Sequence, residues 1–343
     1  MKTNDLLRFT RYYEWWDYKL GIFLGIGLLV LLHSETPDLA GALAHLGMLL
    51  LSIVVGAVFV SLINDFFDLE DDRRSGKHNR QQHWPRWKSL LLIGLSLAGG
   101  AGFLYYFRDS LPTALAYLPP WIAFTLYSAP PFRFKERGIL GSLADASGAH
   151  LFPTLFLLTG MYTYGGSLPP GPLLVSFAVW SFSFGFRSIA CHQFSDLEHD
   201  RQGGIHTFAV LLSDPRRLRR LAVLAVSAEL GAFAFALLSL RQYPLLILLG
   251  TYLFLAWLLR TYRSVDFVVI VKPDHSRWRL LMTSFYQTVL PVVLLAQLAL
   301  AAPRTAWLLP VFLVLFLRDI RTIRYDLLEL YDLGKRTVFN LIR

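Results

Sequence analysis

Asn64-Asp65-Phe66-Phe67-Asp68-Leu69-Glu70-Asp71-Asp72 follows a long apolar run, 43–63, and precedes a basic loop, 73–88. If the run is a helix that continues into this stretch, each residue turns by about 100°. Asn64, Asp65, Asp68 and Asp72 then fall within one arc of about 100°, and Glu70 points away. Carboxylates gathered on one wall repel each other unless a hard cation sits among them. A solvated acidic helix end accounts equally well for one such cluster. A second cluster, His192-Gln193-Phe194-Ser195-Asp196-Leu197-Glu198-His199-Asp200, closes another apolar run. On an ideal helix His192, Gln193, Asp196 and Asp200 again share a face, and Glu198 again turns away. Two Asp-x-x-x-Asp pairs, each ending an apolar helix, point to a metal site assembled from both.

Of 343 residues 55% are hydrophobic, above the level of soluble domains, about 45–50% even with glycine counted. Apolar runs lie at about 20–33, 41–63, 89–107, 111–127, 143–163, 172–192, 220–240, 244–260, 280–301 and 305–318. They are too long and too numerous for a soluble core, so the chain is expected to be an all-α polytopic membrane protein. The one cysteine, Cys191, excludes an internal disulfide. A net charge of +9 would suggest nucleic acid in a soluble protein. Here the cations fall in alternate loops, a pattern of membrane topology, so no nucleic-acid partner is expected.

Residues 1–19 are polar and aromatic, with Arg8, Arg11, Trp15, Trp16 and Lys19, and read as an interfacial segment rather than a signal peptide. The loops at 64–88, 128–142, 193–219 and 261–279 are long and rich in Arg and Lys, and those between them are short and carry few charges. This bias puts the N-terminus, both acidic clusters and the basic tail 319–343 on the cytoplasmic side. The expected division is an interfacial segment (1–19), a transmembrane domain (20–301), and an extra C-terminal helix with a basic tail (302–343). The last apolar run is short and turns amphipathic, so it could lie along the membrane surface. The acidic loops follow the second and sixth runs, which suggests a pseudo-repeat around a central cavity.

Acidic clusters facing a cavity suit Mg²⁺, and Mg²⁺ suits phosphate oxygens. Cations to hold the remaining phosphate charge are at hand: Arg73, Arg74, Lys77 and Arg80 after the first cluster, and Arg133, Lys135 and Arg137 in a third loop. Beside a bilayer, the matching substrate has a diphosphate head and a lipophilic tail. Metal-assisted loss of diphosphate from an allylic carbon leaves a carbocation, which a dry, aromatic-lined pocket would protect.

These residues resemble the UbiA superfamily of intramembrane prenyltransferases. Asn64-x-x-x-Asp68-x-x-x-Asp72 and Asp196-x-x-x-Asp200 are similar to its paired aspartate motifs. Tyr127-Ser128-Ala129-Pro130-Pro131-Phe132-Arg133-Phe134-Lys135, with Gly138 and Gly141, is similar to its Tyr-Ser-x-Pro-Pro-x-x-x-Lys loop, above all in chlorophyll-synthase-like members. The resemblance covers about residues 15–300. It implies a ring of about nine transmembrane helices around a central cavity, here with an additional C-terminal helix. It implies that Asn64, Asp68, Asp72, Asp196 and Asp200 hold two Mg²⁺ ions, with Asp65 as a further candidate ligand. It implies an isoprenyl diphosphate donor bound by Tyr127 and Lys135, with Arg133 close by and Lys77 and Arg80 at the family's spacing of basic residues. His192 and Gln193 stand where many members carry a charged pair. The segment 14–19 lacks the arginine-proline of members that act on hydroxybenzoate.

Three functions stay open at this point. One is prenyl transfer to a small aromatic or otherwise hydrophobic acceptor in the membrane lipid. Another is cyclisation of the same cation by a UbiA-type membrane terpene cyclase. The third, cation-coupled transport, fits least, because its acids belong near the midplane. Asp145 and His150 lie inside the fifth run, where ionisable groups are costly and often functional. Either could bind or deprotonate an acceptor, or make an interhelical hydrogen bond. Arg187 is turned about 180° from Asp196 on an ideal helix, so a structural partner on another helix is expected.

Overall fold

The computed structural model describes residues 10–34, 38–74, 76, 78–202, 204–212, 214–275 and 277–341. In lipid only a helix or a closed barrel satisfies every backbone group internally, and the apolar runs form helices throughout. In chain order these are α1 (Gly21–His33), α2 (Leu39–Arg74), α3 (Arg86–Tyr106), α4 (Leu111–Ser128), α5 (Ile139–Ala146), α6 (Phe152–Tyr164), α7 (Gly171–Ser195), α8 (Pro215–Ser239), α9 (Tyr243–Arg263), α10 (Leu290–Ala301), α11 (Leu308–Leu315) and α12 (Leu317–Leu341). π-turns lead into α1 (Trp16–Leu20), join α5 to α6 (Ser147–Leu151) and lead into α10 (Phe285–Val289). Six helical segments are long and apolar enough to cross a membrane. The chain is an all-α integral membrane protein. One small addition is a parallel pair of three-residue strands, β1 (Asp266–Val268) and β2 (Trp278–Leu280), in the loop after α9.

The helices close into a ring. α2 packs on α3 and α4, α4 on α6, α5 and α6 on α7, α7 on α8, α8 on α9, and α10 on α1. Between α9 and α10 the wall is completed by the strand pair and by α12, which touches both α9 and the π-turn before α10. α1 is buried deeply, with Ile26, Leu28, Leu29 and Val30 all 0% exposed. Glycine permits this approach: a Cβ on Gly21 would sit 2.2 Å from the backbone oxygen of Gln287. Small residues draw membrane helices together in this way. The Gln287 Nε2 then donates to the carbonyl of Tyr18 at 2.8 Å, which fixes the entry to α1.

Arg187 has the structural partner its helical phase predicts. Its Nε and Nη2 donate to Glu229 of α8 at 2.6 and 2.8 Å, and its Nη1 and Nη2 reach the carbonyls of Val269 and Leu281 at 2.9 and 3.0 Å. Both side chains are fully buried. The pair joins α7, α8 and the strand-bearing loop. The last apolar run does not form one long helix. α11 has 8 residues, far short of the roughly 20 a span needs. The chain breaks at Phe316 and continues as the amphipathic α12. Glu329 of α12 lies 2.7 Å from Arg263 and 3.0 Å from Arg277, and Asp326 lies 3.3 Å from Arg279.

Candidate active site

The first acidic stretch behaves as its helical phase requires. α2 runs unbroken to Arg74. Asp65 is fully buried, Asn64, Asp68 and Asp72 are half-buried, and Glu70 is exposed beside Arg74 at 3.4 Å. The second stretch departs from the expected single face. α7 ends at Ser195, Asp196 caps it, and Asp200 lies on a separate helix, Leu197–Gln202. In the last turn of α7 the Ser195 Oγ donates back to Cys191 O at 2.8 Å. Asp196 is exposed beside His192, 3.6 Å away, whereas Asp200 is buried and accepts from Thr207 Oγ1 at 3.2 Å. Gln193 turns away from His192 into the bundle, where its Oε1 accepts from Ser142 Oγ at 3.2 Å.

The loop between α4 and α5 connects the two stretches. α4 stops at Ser128 because Ala129 precedes Pro130 and is driven to extended backbone. Lys135 donates to the Asp68 carboxylate. Arg133 lies 3.5 Å from Asp68 and 2.8 Å from Asp71. The loop packs on α5 at Gly141, where a Cβ would meet Phe134 O at 2.7 Å and Lys135 Cα at 3.0 Å. At its end the Gly138 N–H donates to His206 O at 2.7 Å, and Gly138 bridges Thr207, the residue that bonds Asp200. One side of the loop thus touches the first stretch, and the other touches residues 206–207, which Thr207 ties to Asp200. Burial pushes the Lys135 ammonium down to about 8, against the raising fields of Glu136 and Asp65.

Inside the ring is a cavity of about 860 Å³. Asn64 from the first stretch and His192 and Ser195 from the second line it, together with Tyr127, so both stretches open on one chamber. Ser128 Oγ donates to Asn64 Oδ1 at 3.3 Å and orients its amide. Deeper in, the wall is aromatic, with Phe23, Tyr117, Trp121, Phe124, Phe156 and Phe184. These rings are the pocket that the sequence alone could not single out.

Nothing in the sequence marked Arg11 and Lys19 for the cavity wall, where both stand. Their one available signal was topology, which put the N-terminal cations at the same mouth as the acids. Arg11 donates to Asp65, and Arg80 is shared between Tyr13 and Asp65. Asn79 also went unnoticed. Its Nδ2 donates to Asp72 Oδ2 at 2.8 Å and to Asp65 O at 2.9 Å, folding the basic loop back on α2. Lys77 lies outside the described residues. Among the described residues, no three His, Cys, Asp or Glu side chains gather tightly enough to hold one metal ion. The acids meet protein partners instead, Asp68 meeting Lys135 and Arg133 and Asp72 meeting Asn79.

A membrane helix ring, two acidic stretches and a cationic loop at the mouth of an aromatic chamber define an enzyme of the intramembrane prenyltransferase class. The chain belongs to the UbiA prenyltransferase family, whose model matches residues 20–280. A UbiA homolog from Archaeoglobus fulgidus bound to GPP and Mg²⁺ shares the fold, with a TM-score of 0.59 at 19% identity over 91% of this chain and 99% of that one. The same homolog bound to DMAPP and Mg²⁺ gives a TM-score of 0.59 at 20% identity over 84% and 97%. A lycopene elongase/hydratase from Haloferax volcanii is 29% identical over 68% of this chain and 75% of its own length. Another, from Halobacterium salinarum, is 30% identical over 55% and 67%.

Proposed function

We propose that this enzyme transfers a prenyl group from an isoprenyl diphosphate to a long hydrophobic isoprenoid of the lycopene class, within the membrane and with Mg²⁺. The observation that carries the proposal is that both acidic stretches open on one aromatic chamber and are joined by the loop bearing Lys135. Asn64, Asp68, Asp72, Asp196 and Asp200 offer oxygen donors only, the set that hard Mg²⁺ takes. Asp68 draws two cationic side chains, Lys135 and Arg133, so its carboxylate sits where positive charge gathers. The bound ions, two by the family resemblance, would supply charge neutralisation for the departing diphosphate.

Tyr127 and His192 on the cavity wall, with Lys135, Arg133 and Arg80 around the first acidic stretch, would hold the diphosphate. The aromatic rings below exclude water and face a developing allylic cation, which ring quadrupoles attract. The acceptor class is supported by the curated relatives and by a chamber whose depth is apolar. The loop charges support a cytoplasmic mouth.

Incubating purified enzyme with Mg²⁺, an isoprenyl diphosphate and either a lycopene-type polyene or a small phenol tests the proposal. Diphosphate release with an elongated polyene is the expected result. Elongation of the phenol alone rejects the acceptor class, and a cyclic hydrocarbon formed without acceptor rejects transfer.

A further inference from the structure

We propose that Asp145 is the proton acceptor that ends the reaction. Among the described residues it is the only carboxylate on the cavity wall, since the paired aspartates stand outside the lining at the mouth. It sits in the last turn of α5, just before the π-turn Ser147–Leu151. Within the described residues it makes no hydrogen bond and no ion pair. Lys19 and His192 stand on the same cavity wall. Tyr127, a proposed diphosphate contact, lines the same cavity, and α5 packs against α4. Asp145 therefore shares the chamber in which the bond between donor and acceptor would form. A half-buried carboxylate without a protein partner is costly inside a membrane protein and marks function.

The chemistry supplies the need. When an alkene carbon of the acceptor bonds the allylic carbon, diphosphate leaves with the electron pair of its C–O bond. The positive charge passes to the acceptor carbon and must be discharged. In water capture, a water oxygen bonds that carbon, one of its O–H bonds breaks, the pair stays on oxygen, and the proton goes to an Asp145 oxygen. In elimination, the proton comes from the neighbouring carbon, and the C–H pair becomes the new C=C. One base serves both endings, and Asp145 is the group placed to be that base.

The inference rests on the proposed transfer to a polyene, and one experiment separates the two. Wild type, Asp145→Asn and Asp145→Glu are assayed with Mg²⁺, an isoprenyl diphosphate and lycopene in ¹⁸O-labelled water. Released diphosphate, labelled alcohol and alkene are counted separately. Asp145→Asn is expected to lower kcat for neutral product about a hundredfold and to shift the alcohol-to-alkene ratio. Its KM for the donor should stay within twofold, and Asp145→Glu should restore part of the rate. An unchanged kcat and ratio in Asp145→Asn overturns the inference and makes the departing diphosphate the base. Equal losses in both variants with a raised donor KM also overturn it, as a structural role would give. Wild type that elongates no polyene rejects the substrate, and the inference falls with it.

Discussion

Lys135 donates to Asp68, and through that contact the loop 129–138 is fastened to the first acidic stretch. The same loop is bonded from the Gly138 N–H to His206 O at 2.7 Å, next to Thr207, whose hydroxyl donates to Asp200 of the second stretch. If Asp68 holds Mg²⁺ as proposed, the Lys135 ammonium would be available to pair with the diphosphate. Lys135→Met should therefore raise the KM for the isoprenyl diphosphate at least tenfold, about 1.4 kcal/mol of lost charge-assisted bonding. Steady-state kinetics at saturating acceptor read this, with size-exclusion elution as the check on folding.

Glu70 provides the control on helical phase. It is 63% exposed, and among the described residues its one ion pair is with Arg74. Glu70→Ala should leave kcat/KM within about twofold, since exposed pairs contribute little. A loss as large as that of Asp68→Ala would place Glu70 on the site face and contradict the arc of Asn64, Asp65, Asp68 and Asp72.

The Arg187–Glu229 pair should behave as a structural bolt. Arg187→Leu alone strands a fully buried carboxylate and should cost about 3–5 kcal/mol, whereas Arg187→Leu with Glu229→Leu should recover most of that. Thermal unfolding in detergent reads both. A double variant no more stable than the single one would contradict the pairing.

Close packing at Gly21 makes a further test. A Cβ there meets the Gln287 carbonyl at 2.2 Å, whereas one on Gly47 meets nothing within 4 Å. Gly21→Ala should lower stability by about 1–3 kcal/mol through overpacking, and Gly47→Ala should be close to neutral. Equal effects would mean that α1 does not approach the π-turn Phe285–Val289 so closely.

The fold was legible because a lipid core forces apolar runs into helices, and ten such runs stood clear of their loops. The acidic arc of the first stretch was legible because α2 continues unbroken through Asp72, so helical phase carries from Asn64 onward. The second arc was not, because phase arguments need an unbroken helix and α7 stops at Ser195. His192 and Gln193 both precede that break and stand about 100° apart on the helix, so His192 faces the chamber while Gln193 bonds Ser142. Arg11, Lys19 and Asn79 reach the site by folding back from segments whose local pattern says only loop or interface. The strand pair is held by three register positions, too few to stand out as a strand signal.

The central claim is that the two acidic stretches act on one diphosphate. The most direct test is diphosphate release from an isoprenyl diphosphate with Mg²⁺ by wild type, Asp68→Ala, Asp196→Ala and the double variant. If each aspartate supplies about 4 kcal/mol of transition-state stabilisation, each single variant should fall about a thousandfold. The double variant should fall little further, as parts of one unit do. Near-normal turnover in both single variants, or two losses that simply multiply in the double variant, would contradict a shared site.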